Sequence, residues 1–542
     1  MKLTRSPTKI SLALMLGFLV TLLYSIKLGS SPLFDWDEIN FAEAAREMWV
    51  TGKYSLVQID FRPFIEKPPF FFWLQALSYH FFGVNEFAAR FPNALCGGLT
   101  FALLAYLGQS MRLGFLWALL MAASFLPHFY FQSGIIDPWF NFFMYLACLA
   151  FWRFRSTGQY IWPITAALAA GLATLTKGPV GLLLPSLIGF TYFGFERLLD
   201  RSFKFPFKAT ALYLALALFF SSAWYVFDFS YNLGGTFSEF WKYQLRLFKS
   251  QDAGHGGPFY YHFIVLFFGC FPASLFFLLP KFASSVDVGV DLTPEKTAFT
   301  RLQWHCLFWV LLIFSIVQTK IIHYSSFAYL PLTALAAIRL QPWLKRAQPL
   351  TLGRKLTALL QITVASVFVI ALPLISKFPE KFLFLFKTPL AVACATQVHS
   401  FQGTEAFLGV AFFIMIVGVL FYHSTRKISS RFFTYVLLLT SFFIISVFTA
   451  DFLPKIERHT QGGAREIYQS HAGQDHWVQN FAFKSFAPLF YSAREVATSQ
   501  QGPTRLPRYW VSRITDRERM KLEKPTATLV TQKGCFLEWV EQ

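Results

Sequence analysis

The sequence predicts an all-α integral membrane protein of about thirteen transmembrane helices that ends in a small mixed α/β domain. Three observations carry this expectation. Of 542 residues, 55% are hydrophobic and only 14% charged, with mean hydropathy +0.45, whereas a soluble domain carries about a quarter charged residues. Apolar runs near twenty residues, long enough to cross the hydrocarbon as a helix, recur along the chain. After about Phe452 hydropathy falls, and Gly, Gln and charge rise.

The expected spans are 10–28, 92–110, 113–131, 138–153, 160–176, 178–195, 208–227, 259–280, 302–319, 323–340, 356–375, 404–423 and 433–451. A basic start (Lys2, Arg5, Lys9) before the first run, with acidic residues after it, reads as an uncleaved first span rather than a signal peptide. The segment 70–82 is apolar but short, follows Pro68-Pro69 and carries His80, so it is expected to lie along the interface. Charge supports this choice. With 70–82 left out, Arg112, Arg153 and Arg155, Arg197 to Lys208, Lys281 to Arg301, Arg339 to Lys355, and Arg426 to Arg431 all fall on one side. Short basic loops mark the cytoplasmic face.

The opposite side receives the loops 29–91, 228–258 and 376–403 and the tail. The division is thus a membrane domain, 1–451, whose outer loop 29–91 carries the chemistry-bearing motifs, and an outer domain, 452–542, with strands expected at 524–532 and 536–540. The net charge of +19 sits in the short clusters between apolar runs. It is read as topology signal and anionic-lipid contact, not as a nucleic-acid surface. Six cysteines show no C-x-x-C spacing, which argues against a thiolate metal site. Cys394 and Cys535 both fall outside the membrane, where they could pair.

The spans hold almost no charge, while His128, His262, His305 and His323 fall in or near their boundaries. An ion-coupled transporter needs carboxylates or broken helices near the midplane, so any chemistry is expected at an edge. The topology gathers Asp37, Glu38, Glu66, Lys67, Asp137, Lys177, His255 and Lys320 at the outer edge. Each also has a plain structural reading: Asp137 as a helix cap, Lys177 and Lys320 as snorkelling span ends, Glu38 as a surface partner of Arg46. Asp35-Trp36-Asp37 spells D-x-D, a short signature of nucleotide-sugar enzymes. Here it follows a membrane span rather than a strand, and no GxGxxG or P-loop accompanies it.

The outer-edge motifs resemble a family. Asp37-Glu38, then Phe41-Ala42-Glu43 and Arg46-Glu47-Met48, resemble the DE-x-x-Y-A-E-x-x-R-E-M opening of bacterial polyprenyl-phosphosugar glycosyltransferases, with Phe41 where many relatives have Tyr. That group holds the aminoarabinose lipid A transferases and protein-mannosyltransferase-like enzymes. FIEKPP at 64–69, IIDP at 135–138, LTKGP at 175–179, HGGPFYY at 255–261, and KIIHY at 320–324 followed by Leu330-Pro331 match further motifs in order.

The resemblance implies the GT-C fold in a bacterial inner membrane, with the active site facing the periplasm. It implies transfer of a sugar from an isoprenoid (undecaprenyl) phosphate to a lipid A or lipopolysaccharide acceptor, or else to a protein or another envelope glycan. Asp37 is then the general base, and Glu38 orients it or meets acceptor. Lys67, Lys177 and Lys320 answer the donor phosphate. Glu66 and His255 match a divalent-metal position, with Zn²⁺ as the candidate cofactor. Asp137, Tyr324 and Arg246 are substrate or structural residues. A polytopic lipid or polysaccharide transporter, or a non-catalytic envelope protein of the same fold, is the rival expectation.

Overall fold

A computed structural model describes residues 7–232, 238–240, 242, 256–279, 293–346, 349–501 and 506–541. Arg246 and His255 lie outside them. The chain opens with α1 (Pro7–Ser25), α2 (Asp37–Thr51), α3 (Phe70–Phe82), α4 (Glu86–Ser110), α5 (Leu116–Ala123) and α6 (Phe125–Tyr130). Next come α7 (Asp137–Thr157), α8 (Ile161–Lys177), α9 (Val180–Leu199) and α10 (Phe207–Asn232). Among the described residues, eight helices are long and apolar enough to cross a membrane. Leu, Ile and Phe side chains stay exposed along them, Phe18, Leu218, Phe219 and Phe407 among many, as lipid-facing walls require.

Helices meet where side chains are small. Gly17 of α1 lies against Gly98 of α4, so a Cβ on Gly17 would stand 2.6 Å from the Gly98 carbonyl oxygen. Lipid supplies no hydrophobic drive between helices, and close backbone approach substitutes for it.

Two expected spans are broken. The run 113–131 divides into α5 and α6 at Ser124, whose backbone is extended. The run 259–280 divides into Tyr261–Gly269 and Ala273–Phe277 around Pro272. The breaks meet. Ser124 Oγ donates to the carbonyls of Leu120 (2.7 Å) and Cys270 (3.1 Å), and the Phe125 N–H donates to Phe271 O at 3.2 Å. Each interruption thereby satisfies backbone groups that the other exposes, which is the condition for irregular backbone inside a membrane protein.

A third run, 323–340, also departs from expectation. A 3₁₀ turn occupies Ile322–Ala328, and the helix proper is Tyr329–Arg346. The turn is tied down by side chains: Asn141 Nδ2 donates to Ser326 Oγ at 2.8 Å, and His262 Nδ1 lies 3.0 Å from Ser325 Oγ.

The outer domain does not begin at a linker. One continuous helical segment runs from Ser430 to Ser470 through two π turns, so the division expected at 451/452 falls inside it. The domain's sheet has β3 (Trp477–Asn480), β4 (Arg508–Arg513), β5 (Ala527–Lys533) and β6 (Phe536–Glu541) in the order β3-β4-β6-β5. A two-residue ladder, β1 (Gln58–Ile59) with β2 (Arg62–Pro63), lies in the first outer loop. The β5–β6 hairpin is the strand pair expected from sequence. Its turn holds Cys535, bonded to Cys394 of the helix Pro389–Gln397 across 141 residues of sequence. In the chain-entropy view a loop that long stabilises by about 5 kcal/mol.

The first outer loop is the joint between the two domains. α2 is buried along nearly its whole length and packs on α3 and on Ala487–Tyr491 of the outer domain. Arg46 donates to both oxygens of Glu43 (2.7 and 2.6 Å) and to Arg494 O (2.9 Å). Arg494 in turn pairs with Asp60 at 3.2 Å. The E-x-x-R-E stretch is therefore a brace. Within it, burial and the neighbouring Glu43 carboxylate push Glu47 up to about 9, so it holds its proton at neutral pH.

Candidate active site

A cavity of about 670 Å³ opens where the outer loop, the helix ends and the outer domain converge, a size typical of small-ligand sites. Asp37 reaches it from the first turn of α2, where the helix N-terminus favours a carboxylate. Glu66 and Lys67 come from the segment before α3, Asp137 from the start of α7, and Lys177 from the end of α8. His323 and Tyr324 come from the 3₁₀ turn, and Lys484 and Phe486 from the outer domain. Apolar side chains line the same cavity, Phe129, Phe140, Met144, Val180 and Phe314 among them.

The charged groups differ in how tightly they are held. Lys177 Nζ lies 2.5 Å from Asp137 Oδ1 and stands over the rings of Phe140 (5.6 Å) and Tyr324 (5.5 Å). Lys177 thus points into the cavity rather than snorkelling, and Asp137 meets this lysine instead of capping α7, whose N-terminus has no side-chain cap. Asp37 is held loosely: its side chain is 42% exposed, and its Oδ2 is 3.9 Å from His323 Nε2. Lys67 faces Glu66, Asp37, Asp137 and Lys177; burial lowers its ammonium, and the three carboxylates oppose that shift.

Glu38 is the neighbour of Asp37 with the opposite fate. Its Oε1 accepts from Arg90 Nε (2.9 Å) and the Gly134 N–H (2.5 Å), its Oε2 from Arg90 Nη2 (2.8 Å) and the Phe34 N–H (3.0 Å). Burial would raise this carboxyl, but Arg90 and the backbone donors outweigh it and hold it below the ordinary range. With its oxygens filled, Glu38 orients the start of α2 from behind Asp37. Its partner is Arg90, not Arg46.

Lys320 is also placed otherwise than expected. Its ammonium donates to the carbonyls of Phe314, Ser315 and Val317 at 2.9, 2.7 and 2.5 Å, closing the end of the helix Pro294–Ile316. It is not part of the cavity wall, although Thr319 and Ile321 are.

Cavity residues that had no part in the expected site include Asp35, Arg90, Asn141, His323 and Lys484. Lys484 stands 5.7 Å over the Trp36 ring and 5.6 Å over Phe486. Burial raises the Asp35 carboxyl, against a hydrogen bond from Ser485. The adjacency of Asp35 to Asp37 was visible in sequence, but nothing in one chain announces which outer-domain loop will meet it. Of the expected metal pair, Glu66 stands at the cavity and His255 is outside the described residues. Among those residues no group of three or more His, Cys, Asp or Glu is placed to hold a metal ion.

Known proteins resemble the chain in sequence and in fold. The family model described as dolichyl-phosphate-mannose-protein mannosyltransferase matches residues 66–225. An undecaprenyl phosphate-α-4-amino-4-deoxy-L-arabinose arabinosyl transferase of Aeromonas salmonicida is 27% identical over 60% of this chain and 59% of its own length. A protein of the same name from Pseudomonas fluorescens is 28% identical over 67% of this chain and 65% of its own. The alignment thus spans under two thirds of either relative. The likeness of fold extends further. ArnT of Cupriavidus metallidurans, crystallised with undecaprenyl phosphate, superposes with TM-score 0.69 at 16% identity, covering 97% of this chain and 98% of that one. The chain is a multi-pass membrane protein with the GT-C fold, ArnT-like in its architecture.

Proposed function

We propose that the chain is an integral membrane glycosyltransferase, moving a sugar from an isoprenoid phosphate, undecaprenyl phosphate by its relatives, to a lipid A or lipopolysaccharide-type acceptor. The observation that carries this reading is a single cavity lined both by charged groups, a loosely held carboxylate and lysines among them, and by apolar side chains. A donor with a charged head on a hydrocarbon tail calls for both kinds of lining. Lys67 and Lys177 meet the phosphate, which gathers negative charge as the glycosidic oxygen leaves. Asp37 takes the proton of the attacking acceptor oxygen. Glu38, through Arg90, keeps the start of α2 in place, and Tyr324 walls the lysine side. The relatives' names and the ligand of the crystallised ArnT support the choice of donor.

The outer-domain loop that lines the cavity belongs to the same domain as Cys535, which is bonded to Cys394 of the outer loop 376–403. Disulfides persist in oxidising compartments, which supports a periplasmic site in a bacterial inner membrane, as does the placement of short basic loops on the other side. Glu66 with His255 is proposed as a divalent-ion site joining two outer loops, and elemental analysis of purified protein against Glu66→Gln tests it. Mass spectrometry of envelope lipids with and without the protein tests the function. The expected result is one lipid species that gains the mass of one sugar residue only when the protein is present. Identical lipid profiles would contradict it, and a mass gain on protein or another glycan would reassign the acceptor.

A further inference from the structure

His323 occupies the cavity wall, yet the steps above leave it without a role. It sits in the 3₁₀ turn Ile322–Ala328, held in place by its own carbonyl, which accepts from Ser326 Oγ at 2.6 Å. Its side chain is only 20% exposed, and its Nε2 is directed at Asp37 Oδ2 across 3.9 Å. Tyr324 meets the ring edge to face, centroids 5.3 Å apart. The 3.9 Å between His323 Nε2 and Asp37 Oδ2 exceeds a hydrogen bond by about 1 Å.

Charged groups line the same cavity from several elements, Asp35 of the first outer loop and Lys484 of the outer domain among them. Asp37 belongs to α2, Glu66 and Lys67 to the segment before α3, Asp137 to α7 and Lys177 to α8. Asp137 and Lys177 are engaged with each other at 2.5 Å. Burial and the charge of Lys67 both lower the His323 imidazole, against the pull of Asp37, so the ring is neutral at rest and able to accept a proton.

We propose that Asp37 and His323 form a proton relay, in which His323 is a positioning residue that returns Asp37 to its basic form after each transfer. This rests on the glycosyltransferase reading. The acceptor oxygen forms its bond to the anomeric carbon as the bond from that carbon to the phosphate oxygen breaks, and the electron pair leaves with the isoprenoid phosphate. The acceptor proton passes to the Asp37 carboxylate and from there to His323 Nε2, making an imidazolium. Lys67 beside it disfavours that cation, so the proton moves on to solvent and the ring is neutral again. Without His323 the proton must leave Asp37 directly for water in the cavity, and turnover slows while donor binding does not change.

The test uses the full chain in lipid nanodiscs, with undecaprenyl phosphate-linked 4-amino-4-deoxy-L-arabinose and purified lipid A, assayed from pH 5 to 9. His323→Gln is expected to lower kcat by about 10²-fold, the lower range for general acid–base work, with KM for donor within about twofold. The wild-type rate is expected to rise with pH as His323 loses its proton, below the ordinary imidazole range, and this limb should vanish in His323→Gln. Added imidazole should restore part of the rate of His323→Ala, provided that variant elutes as folded protein. Wild-type kcat and pH profile in His323→Gln would overturn the relay, as would a change confined to KM. Asp37→Asn measured alongside separates the two ideas: if it is inactive while His323→Gln is normal, only the relay fails. Full activity of Asp37→Asn removes the base assignment itself.

Discussion

α7 carries charge at both ends, and the two ends could hardly differ more. α7 begins with Asp137 at the cavity and carries Arg153 and Arg155 near its far end, about 27 Å away at 1.5 Å per residue. There Glu196 of α9, fully buried, pairs with Arg301 (2.7 Å to Nη2) and with Arg155 (3.3 Å). Arg155 also reaches Asp200 at 3.4 Å, and Arg153 meets Glu295 at 3.2 Å. These charges are closed on one another. At the outer end the Asp137–Lys177 pair is equally tight, but Asp37 keeps an exposed face and a 3.9 Å gap to His323. Saturated charge holds helices together, whereas a carboxylate with slack, facing a cavity, is free to take a proton. Buried pairs also resist loss of one member more than they reward having both.

This contrast can be broken at either end. The largest expected effect is that of Asp37→Asn: transfer falls by about 10²–10⁴-fold, the range for losing a general base, with unchanged membrane yield and donor binding. An active variant would place the base elsewhere. Glu196→Gln should do the reverse. It leaves Arg301 without its carboxylate and Arg155 with Asp200 alone, costs about 3–5 kcal/mol of stability and lowers the melting temperature, while transfer per folded molecule is retained. If Glu196→Gln lost activity with normal stability, the far end would not be merely structural.

Lys67→Ala comes next. It removes charge-assisted hydrogen bonds of about 1.5–3 kcal/mol, so isoprenoid phosphate binding measured by titration should weaken by about 10–100-fold. Unchanged binding would release Lys67 from that role. The smallest effect concerns the brace behind the site. Glu47 is raised in the folded protein to about 9 from an ordinary 4.5. The folded state therefore holds a proton that the unfolded chain loses, and stability falls as pH rises between those two values. Glu47→Gln removes this slope. Its melting temperature relative to the wild type should climb by a few degrees from pH 5 to 9, and parallel curves would count against a protonated Glu47.

What one chain could show follows from how local each signal is. Span positions were legible because hydropathy over twenty residues needs no tertiary information, and α3 at 70–82 emerged with the expected bounds. The breaks at Ser124 and Pro272 were not, since their cost is met by each other's backbone across the fold. Asp37, Glu66, Lys67, Asp137 and Lys177 could be gathered on one side by topology alone, and they line one cavity. The division of labour within the D-W-D-E run could not be read. Whether Asp37 or Glu38 is the open carboxylate depends on Arg90, more than fifty residues on. Lys320 looked equivalent to Lys67 and Lys177 in sequence, but the nearest carbonyls claim it first. β3 and β4 were hidden because each is short and half-exposed.

The central claim, that the outer-end cavity receives an isoprenoid phosphate, is tested most directly by photo-crosslinking. A diazirine-bearing undecaprenyl phosphate is added to the purified protein and the labelled peptides are mapped by mass spectrometry. Labelling is expected in the first turns of α7 and in the segment 314–327, and Lys67→Ala should suppress it. Labels scattered over lipid-facing surfaces such as α1 and Leu352–Lys377, indifferent to Lys67→Ala, would contradict the account.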